Sequence, residues 1–207
     1  MRTTRWMLAA VLGVLAAGRA EAGQITFDGL AGQSNGSAFT TYTEGGFTVA
    51  ATDDHWNVTT VYGNPSPDIY STTAPATVEV TQVAPGPFTF SQVDLSSDSS
   101  APADNSFYSV VGYLGSLRVF GFEGSVPGGL GNTFQTITNT DPGAAIDRLA
   151  ISYTRFTGIF GGLVIDNIVV TPAAVATPEP GTLAQAGAGA LALGLSYGWR
   201  RGRRKAG

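Results

Sequence analysis

The chain has 207 residues, 43% of them hydrophobic and only 13% charged, against about 25% charged in an ordinary soluble domain. Cysteine is absent and histidine occurs once, at His55, which excludes disulfide frameworks, thiolate chemistry and multi-histidine metal sites. The formal net charge of −4 is unevenly laid out: residues 23–180 hold Arg118, Arg148 and Arg155 against fourteen carboxylates, and such a body repels phosphate backbones and excludes nucleic acid as a partner.

Residues 1–22 read as a secretory signal peptide. Arg2 and Arg5 form a positive start, Trp6 to Ala17 is apolar, and Ala20-Glu21-Ala22 is a small-x-small cleavage site for signal peptidase. Cleavage after Ala22 leaves Gly23 as the new terminus. The apolar run is too short for an ordinary membrane span. The middle of the chain is therefore expected to be exported, and without disulfides it must be held by packing or by a bound cation.

Residues 23–171 read as an all-β domain. Residues 23–180 contain twenty-one Thr, seven Leu, no Lys and no Met, so β-branched and aromatic residues dominate over good helix formers. Short alternating runs predict strands at 24–27, 46–50, 56–62, 77–82, 88–95, 107–114, 116–122, 133–138, 145–153 and 163–170. Turns are marked by Glu44-Gly45-Gly46, Asn64-Pro65-Ser66-Pro67, Ala84-Pro85-Gly86-Pro87, Pro127-Gly128-Gly129 and Asp141-Pro142-Gly143. This pattern predicts a two-sheet antiparallel β-sandwich of jelly-roll type, flanked by the N-terminal signal helix and a C-terminal transmembrane helix.

The C-terminal part follows a different plan. Residues 172–180 form a Pro/Ala linker, and residues 181–199 carry no charge. Leu183 to Trp199 is 17 residues, the lower limit for a spanning helix, with Tyr197 and Trp199 at an interfacial position. Arg200, Arg201, Arg203, Arg204 and Lys205 follow within the basic tail 200–207. The positive-inside rule keeps that tail cytoplasmic and the body outside.

Pro178-Glu179-Pro180, a short apolar helix and a terminal Arg cluster, in that order, resemble the PEP-CTERM sorting signal. Thr177 stands where family members usually have Val. The resemblance implies that Pro178, Glu179 and Pro180 are read by an exosortase, a membrane transpeptidase, which removes the helix. The body, anchored in the inner membrane in transit, then passes to the cell surface or matrix. In the body, Ile25 to Leu30, Tyr42 to Val49, Phe88 to Leu95 and Leu163 to Val170 resemble a group of exported PEP-CTERM sandwich proteins. The resemblance implies a jelly roll similar to galactose-binding and carbohydrate-binding modules, and a setting in exopolysaccharide or biofilm.

Two clusters are candidate sites. Asp28 and Asp166 each interrupt an apolar strand. In jelly rolls of this kind the first and last strands often lie together, so the pair either holds a structural Ca²⁺ or hydrogen-bonds a bulge or pairs with Arg148 or Arg155. Asp53-Asp54-His55-Trp56, with Tyr62 and Tyr70 nearby, has the aromatic and carboxylate types that sugar binding needs. It reads either as a polysaccharide-binding loop or as a solvated loop whose Trp56 enters the core. No nucleophile-elbow motif is present, and no catalytic residue is assigned. The expected function is that of an exported, non-catalytic surface or matrix protein sorted by an exosortase, with a carbohydrate-binding module of the envelope as the alternative.

Overall fold

The computed structural model describes residues 23–63, 65–158 and 161–173. The expected signal helix, the transmembrane helix 181–199, the motif Pro178-Glu179-Pro180 and the basic residues 200–205 lie outside the described residues. Among the described residues no helix is long and apolar enough to cross a membrane.

Twelve strands carry the body: β1 (Gly23–Ile25), β2 (Thr41–Glu44), β3 (Phe47–Ala51), β4 (Trp56–Thr59), β5 (Asp68–Ser71), β6 (Ala76–Gln82), β7 (Phe88–Ser97), β8 (Asn105–Leu114), β9 (Leu117–Pro127), β10 (Gln135–Thr138), β11 (Arg148–Thr157) and β12 (Leu163–Pro172). A short 3-10 turn spans Asp28–Leu30. All ten expected strands are present. β2 and β5 are additional, each a four-residue strand between turn-forming segments.

The strands form two antiparallel sheets. The first runs β10-β7-β12-β5-β4, with β1 added beside β12; the second runs β2-β3-β6-β11-β8-β9. β12 binds β5 through Leu163 to Ile165 and β1 through Ile168 to Val170, so two short strands share one of its edges. The other edge lies against β7, where the register shifts after Asp166.

Alternation decides which side faces inward. β6 buries Ala76, Val78 and Val80 and turns Thr77, Glu79 and Thr81 outward. β3, β8 and β11 follow the same rule, and the inner faces of both sheets meet in one core that includes Trp56, Phe47, Phe88, Phe90 and Tyr153. Phe120 and Phe122 of β9 stack on Phe90 with ring centroids 6.1 and 6.5 Å away. Gly112 makes this possible, because a Cβ there would enter the Phe120 ring and crowd Ile146.

Turn chemistry sets the hairpins. Gly45 and Gly46 both have positive φ (57° and 83°), which matches the two-residue turn whose twist suits flanking strands. Gly115 (φ 60°) opens the β8–β9 turn in the same way.

Candidate functional site

The outer face of the second sheet is built by register. Arg148 lies opposite Tyr113, and Tyr113 opposite Arg118. One step along, Ala50, Glu79, Ala150, Val111 and Gly121 form the next cross-strand row. A third row carries Thr77, Ser152, Ser109 and Glu123. All three arginines of the body stand on this one face, since Arg155 pairs with Phe107 further along β11.

Their contacts are specific. The Arg148 guanidinium sits 4.3 Å from the Tyr113 ring centroid and forms an ion pair with Glu79 on β6. Ala150, directly opposite Glu79, is small enough to leave that diagonal open. Arg155 lies 3.9 Å from the centroid of Phe107. Arg118 lies down over Gly121, where a Cβ would collide with its guanidinium. Thr77 and Ser152 share a hydroxyl hydrogen bond of 2.9 Å.

At the end of this face is an open cleft of about 380 Å³ lined by Thr81, Gln82, Pro85, Pro87, Leu114 and Asp147. Thr81 lies two residues from Glu79 on β6, Asp147 precedes Arg148, and Leu114 follows Tyr113, so the cleft adjoins the charged pair along the chain. Leu114, Pro85 and Pro87 give apolar surface. Gln82 and Asp147 give polar groups. A site of this kind suits a ligand that is apolar on its ring faces and polar at its edges. Of the cleft residues and the charged pair beside it, only Arg148 was named at a candidate site from the sequence, and there as an alternative partner of Asp28 or Asp166. The signal that could have found them was the scarcity of arginine in an acidic body.

The Asp53–Trp56 cluster is a loop held by its own carboxylates. Asp53 accepts hydrogen bonds from the His55 amide at 3.1 Å and the Thr77 amide at 2.8 Å, which fastens the loop to β6. His55 lies 3.7 Å from Asp53 and 3.5 Å from Asp54 through its ring nitrogens, and Asp54 is fully exposed. Trp56 is completely buried. Its indole is part of the core. Tyr62 and Tyr70 meet edge to face, with centroids 6.1 Å apart, Tyr70 on β5 beside the strand that carries Trp56.

The two aspartates expected to share a cation have different neighbours. Asp28 is exposed at the start of the 3-10 turn. Asp166 is fully buried, opposite Asp94 on β7, and on the β5 side the register places it beside Asp68. Neither expected arginine partner turns this way, because Arg148 pairs with Glu79 and Arg155 stacks on Phe107. Asn167 follows in a left-handed conformation (φ 47°) and bridges strands: it accepts from Gln24 at 2.7 Å and donates to Asp94 at 3.1 Å.

Asp68 is fully buried, and neither of its carboxylate oxygens has a hydrogen-bond partner among the described residues. Burial, and then the charge of Asp166, push its carboxyl up to about 9. Burial also raises Asp98. Tyr62 is raised by burial and by the charges of Asp98, Tyr70 and Asp68. Among the described residues, no group of three or more histidine, cysteine or acidic side chains is arranged to hold a metal.

No family model matches the chain. No curated protein matches it either. Among solved structures, a DUF4465 family protein from Bacteroides caccae aligns with 72% of this chain and 99% of its own, at 9% identity and TM-score 0.46. A family 29 carbohydrate-binding module from Piromyces equi aligns with 74% of this chain and 92% of its own, at 11% identity and TM-score 0.39. TmCBM61 in complex with β-1,4-galactotriose aligns with 61% of this chain and 88% of its own, at 12% identity and TM-score 0.35. Similarity at this level transfers no ligand and no activity.

Proposed function

We propose that the chain is an exported, non-catalytic module of the cell envelope that holds a polysaccharide against the outer face of its second sheet. The observation that carries this reading is the Tyr113–Arg148–Glu79 arrangement beside the cleft at Leu114 and Asp147. A pyranose has a C–H face that suits an aromatic or proline surface, and hydroxyls that suit carboxylate and guanidinium partners. Tyr113, Glu79 and Arg148 stand on β-strands, which hold side chains more firmly than loops do. The fold is read as a jelly roll.

Residues 1–22 direct export, and signal peptidase acts after Ala22. Pro178, Glu179 and Pro180 are the recognition motif for an exosortase, and Arg200, Arg201, Arg203, Arg204 and Lys205 stop transfer until sorting releases the body to the surface or matrix. Support for this part is the order of motif, apolar segment and basic block in one chain with a signal peptide.

Retention of the purified full chain on a panel of immobilised polysaccharides tests the binding reading. Wild type is retained on at least one, while Tyr113→Ala and Arg148→Ala are not, with melting midpoints close to wild type. Wild type that passes through every polysaccharide overturns glycan binding. It leaves the second reading, a sorted matrix protein without glycan recognition, which the C-terminal signal supports by itself.

A further inference from the structure

The outermost strands of the two sheets are β10, β4, β2 and β9. β2 and β10 are only four residues each. β4 is closed by the segment 36–39, whose Gly36 and Phe39 amides donate to the Val58 and Trp56 carbonyls, while the Val58 amide donates to Ser37. The remaining edge, β9, is eleven residues long, with β8 on one flank and no strand on the other among the described residues. A long open edge presents a row of backbone N–H and C=O groups that recruits another strand, and proteins usually blunt it with Lys, Pro or an inward-pointing charge. From Leu117 to Val126, β9 has no Lys and no Pro, and its two charged residues, Arg118 and Glu123, are exposed.

The pattern along this edge is self-complementary. Tyr113, Val111 and Ser109 are successive outward positions of β8, and they pair with Arg118, Gly121 and Glu123. The register shift between Gly112 and Tyr113 absorbs Val119, so the arginine and the glutamate stand one outward step to either side of Gly121. A two-fold axis perpendicular to the sheet at Gly121 therefore sets Arg118 of each copy opposite Glu123 of the other. Neither side chain forms an ion pair among the described residues. Gly121 has no side chain to obstruct the axis. On the inner side the same axis brings Phe120 of one copy opposite Phe122 of the other. Both rings pack against the core yet stay only partly buried, so this end of the sandwich is open. Leu117 and Val119 add exposed apolar surface at the β8–β9 hairpin.

We propose that this edge pairs with a second copy of the same chain, β9 against β9 and antiparallel, so that the second sheet continues across the two-fold. The occupant is a second copy because one edge supplies both signs of the charge pair at matching steps, which is what an isologous interface needs. Because the axis is perpendicular to the sheet, the outer faces of the two copies stay on one side. The contact is one strand wide with a flanking aromatic patch, so the dimer forms reversibly and depends on concentration. This inference does not rest on the glycan reading, since neither Arg118 nor Glu123 lines the cleft.

The test is sedimentation velocity of the full chain in detergent over a concentration series, with Arg118→Glu, Glu123→Arg and the two combined. Wild type is expected to pass from monomer to dimer as concentration rises. Each single reversal sets like charges opposite each other at two places and should weaken dimerisation by about tenfold. The combined variant restores opposite charges and should recover it. The chain has no cysteine of its own, so Arg118→Cys together with Glu123→Cys gives a positional readout. Mild oxidation should link that variant into a dimer, while Thr43→Cys, on the β2 edge, should stay unlinked. Wild type that remains monomeric at millimolar concentration overturns the proposal. So does a dimer that both single reversals leave intact, which assigns the association to another surface. If the reversals fail to fold, as judged by far-ultraviolet circular dichroism, the cysteine pair decides, and absence of the cross-link overturns the proposal.

Discussion

The side-chain amide of Gln24 donates to the side-chain oxygen of Asn167, 143 residues further along the chain, at 2.7 Å. The first strand is thereby fastened to the last at the point where β12 exchanges β5 for β1. Asn167 also donates to Asp94 on β7, so one side chain ties three strands. Its φ of 47° is a conformation that Asn tolerates better than most residues.

Replacement at this position separates backbone from side chain. Asn167→Ala is expected to cost about 2–3 kcal/mol, from the left-handed backbone and two lost hydrogen bonds. Asn167→Gly relieves the first term only and should recover about 1 kcal/mol of it. Equilibrium urea denaturation measures both. Equal loss in the two variants would assign the whole cost to the side chain.

Gly112 allows Phe120 to lie against the sheet. Gly112→Ala should destabilise the body by about 1–3 kcal/mol through overpacking of a filled core. Gly143, which has open space around its Cβ position, is the control. Gly143→Ala should leave the denaturation midpoint nearly unchanged.

Trp56 and Tyr113 should separate folding from binding. Trp56→Ala removes a fully buried indole and is expected to cost about 3–5 kcal/mol, seen in urea denaturation. Tyr113→Ala gives up a surface cation–π contact worth about 0.5–2 kcal/mol and should mainly lose polysaccharide retention. A folded Trp56→Ala variant with wild-type stability would contradict its place in the core.

Tyr153 supplies a pH test. Burial first, and then the Asp98 charge, push its hydroxyl up to about 12, and the hydroxyl donates to the Gly161 carbonyl at 3.2 Å. In the unfolded chain a tyrosine ionises near 10. The contribution to stability is therefore fully present below pH 10 and is lost as pH rises through about 12. Ultraviolet difference absorbance should show a late tyrosinate step that Tyr153→Phe removes.

Strand positions were legible because apolar and polar residues alternate within runs long enough to count, as in Thr77 to Gln82. β2 and β5 were not, because the sequence around Tyr42 and Asp68 offers turn residues on both sides and no run of alternation beyond the strand itself. The fate of Trp56 was open in the sequence, because a Trp beside Asp53 and His55 has the composition of a sugar site and of a loop entering a core alike. Asp166 was legible as an anomaly, since a carboxylate inside Leu163 to Val170 needs a reason. Its neighbour Asp68 was not, because their juxtaposition depends on a pairing between β5 and β12 across nearly a hundred residues of chain. The Tyr113–Arg148–Glu79 group was hidden for the same reason: three strands far apart in sequence bring it together, and only the sheet order makes them adjacent.

β12 is both the last strand of the body and the middle of its sheet, with ladders to β7 on one side and to β5 and β1 on the other. Any pull on the chain beyond Ala173 is directed along that strand. Ladders on both flanks resist such a pull in shear, with many rungs loaded together, instead of unzipping one at a time. Force applied through the C-terminal exit thus meets the sheet at a strand that is paired on both flanks.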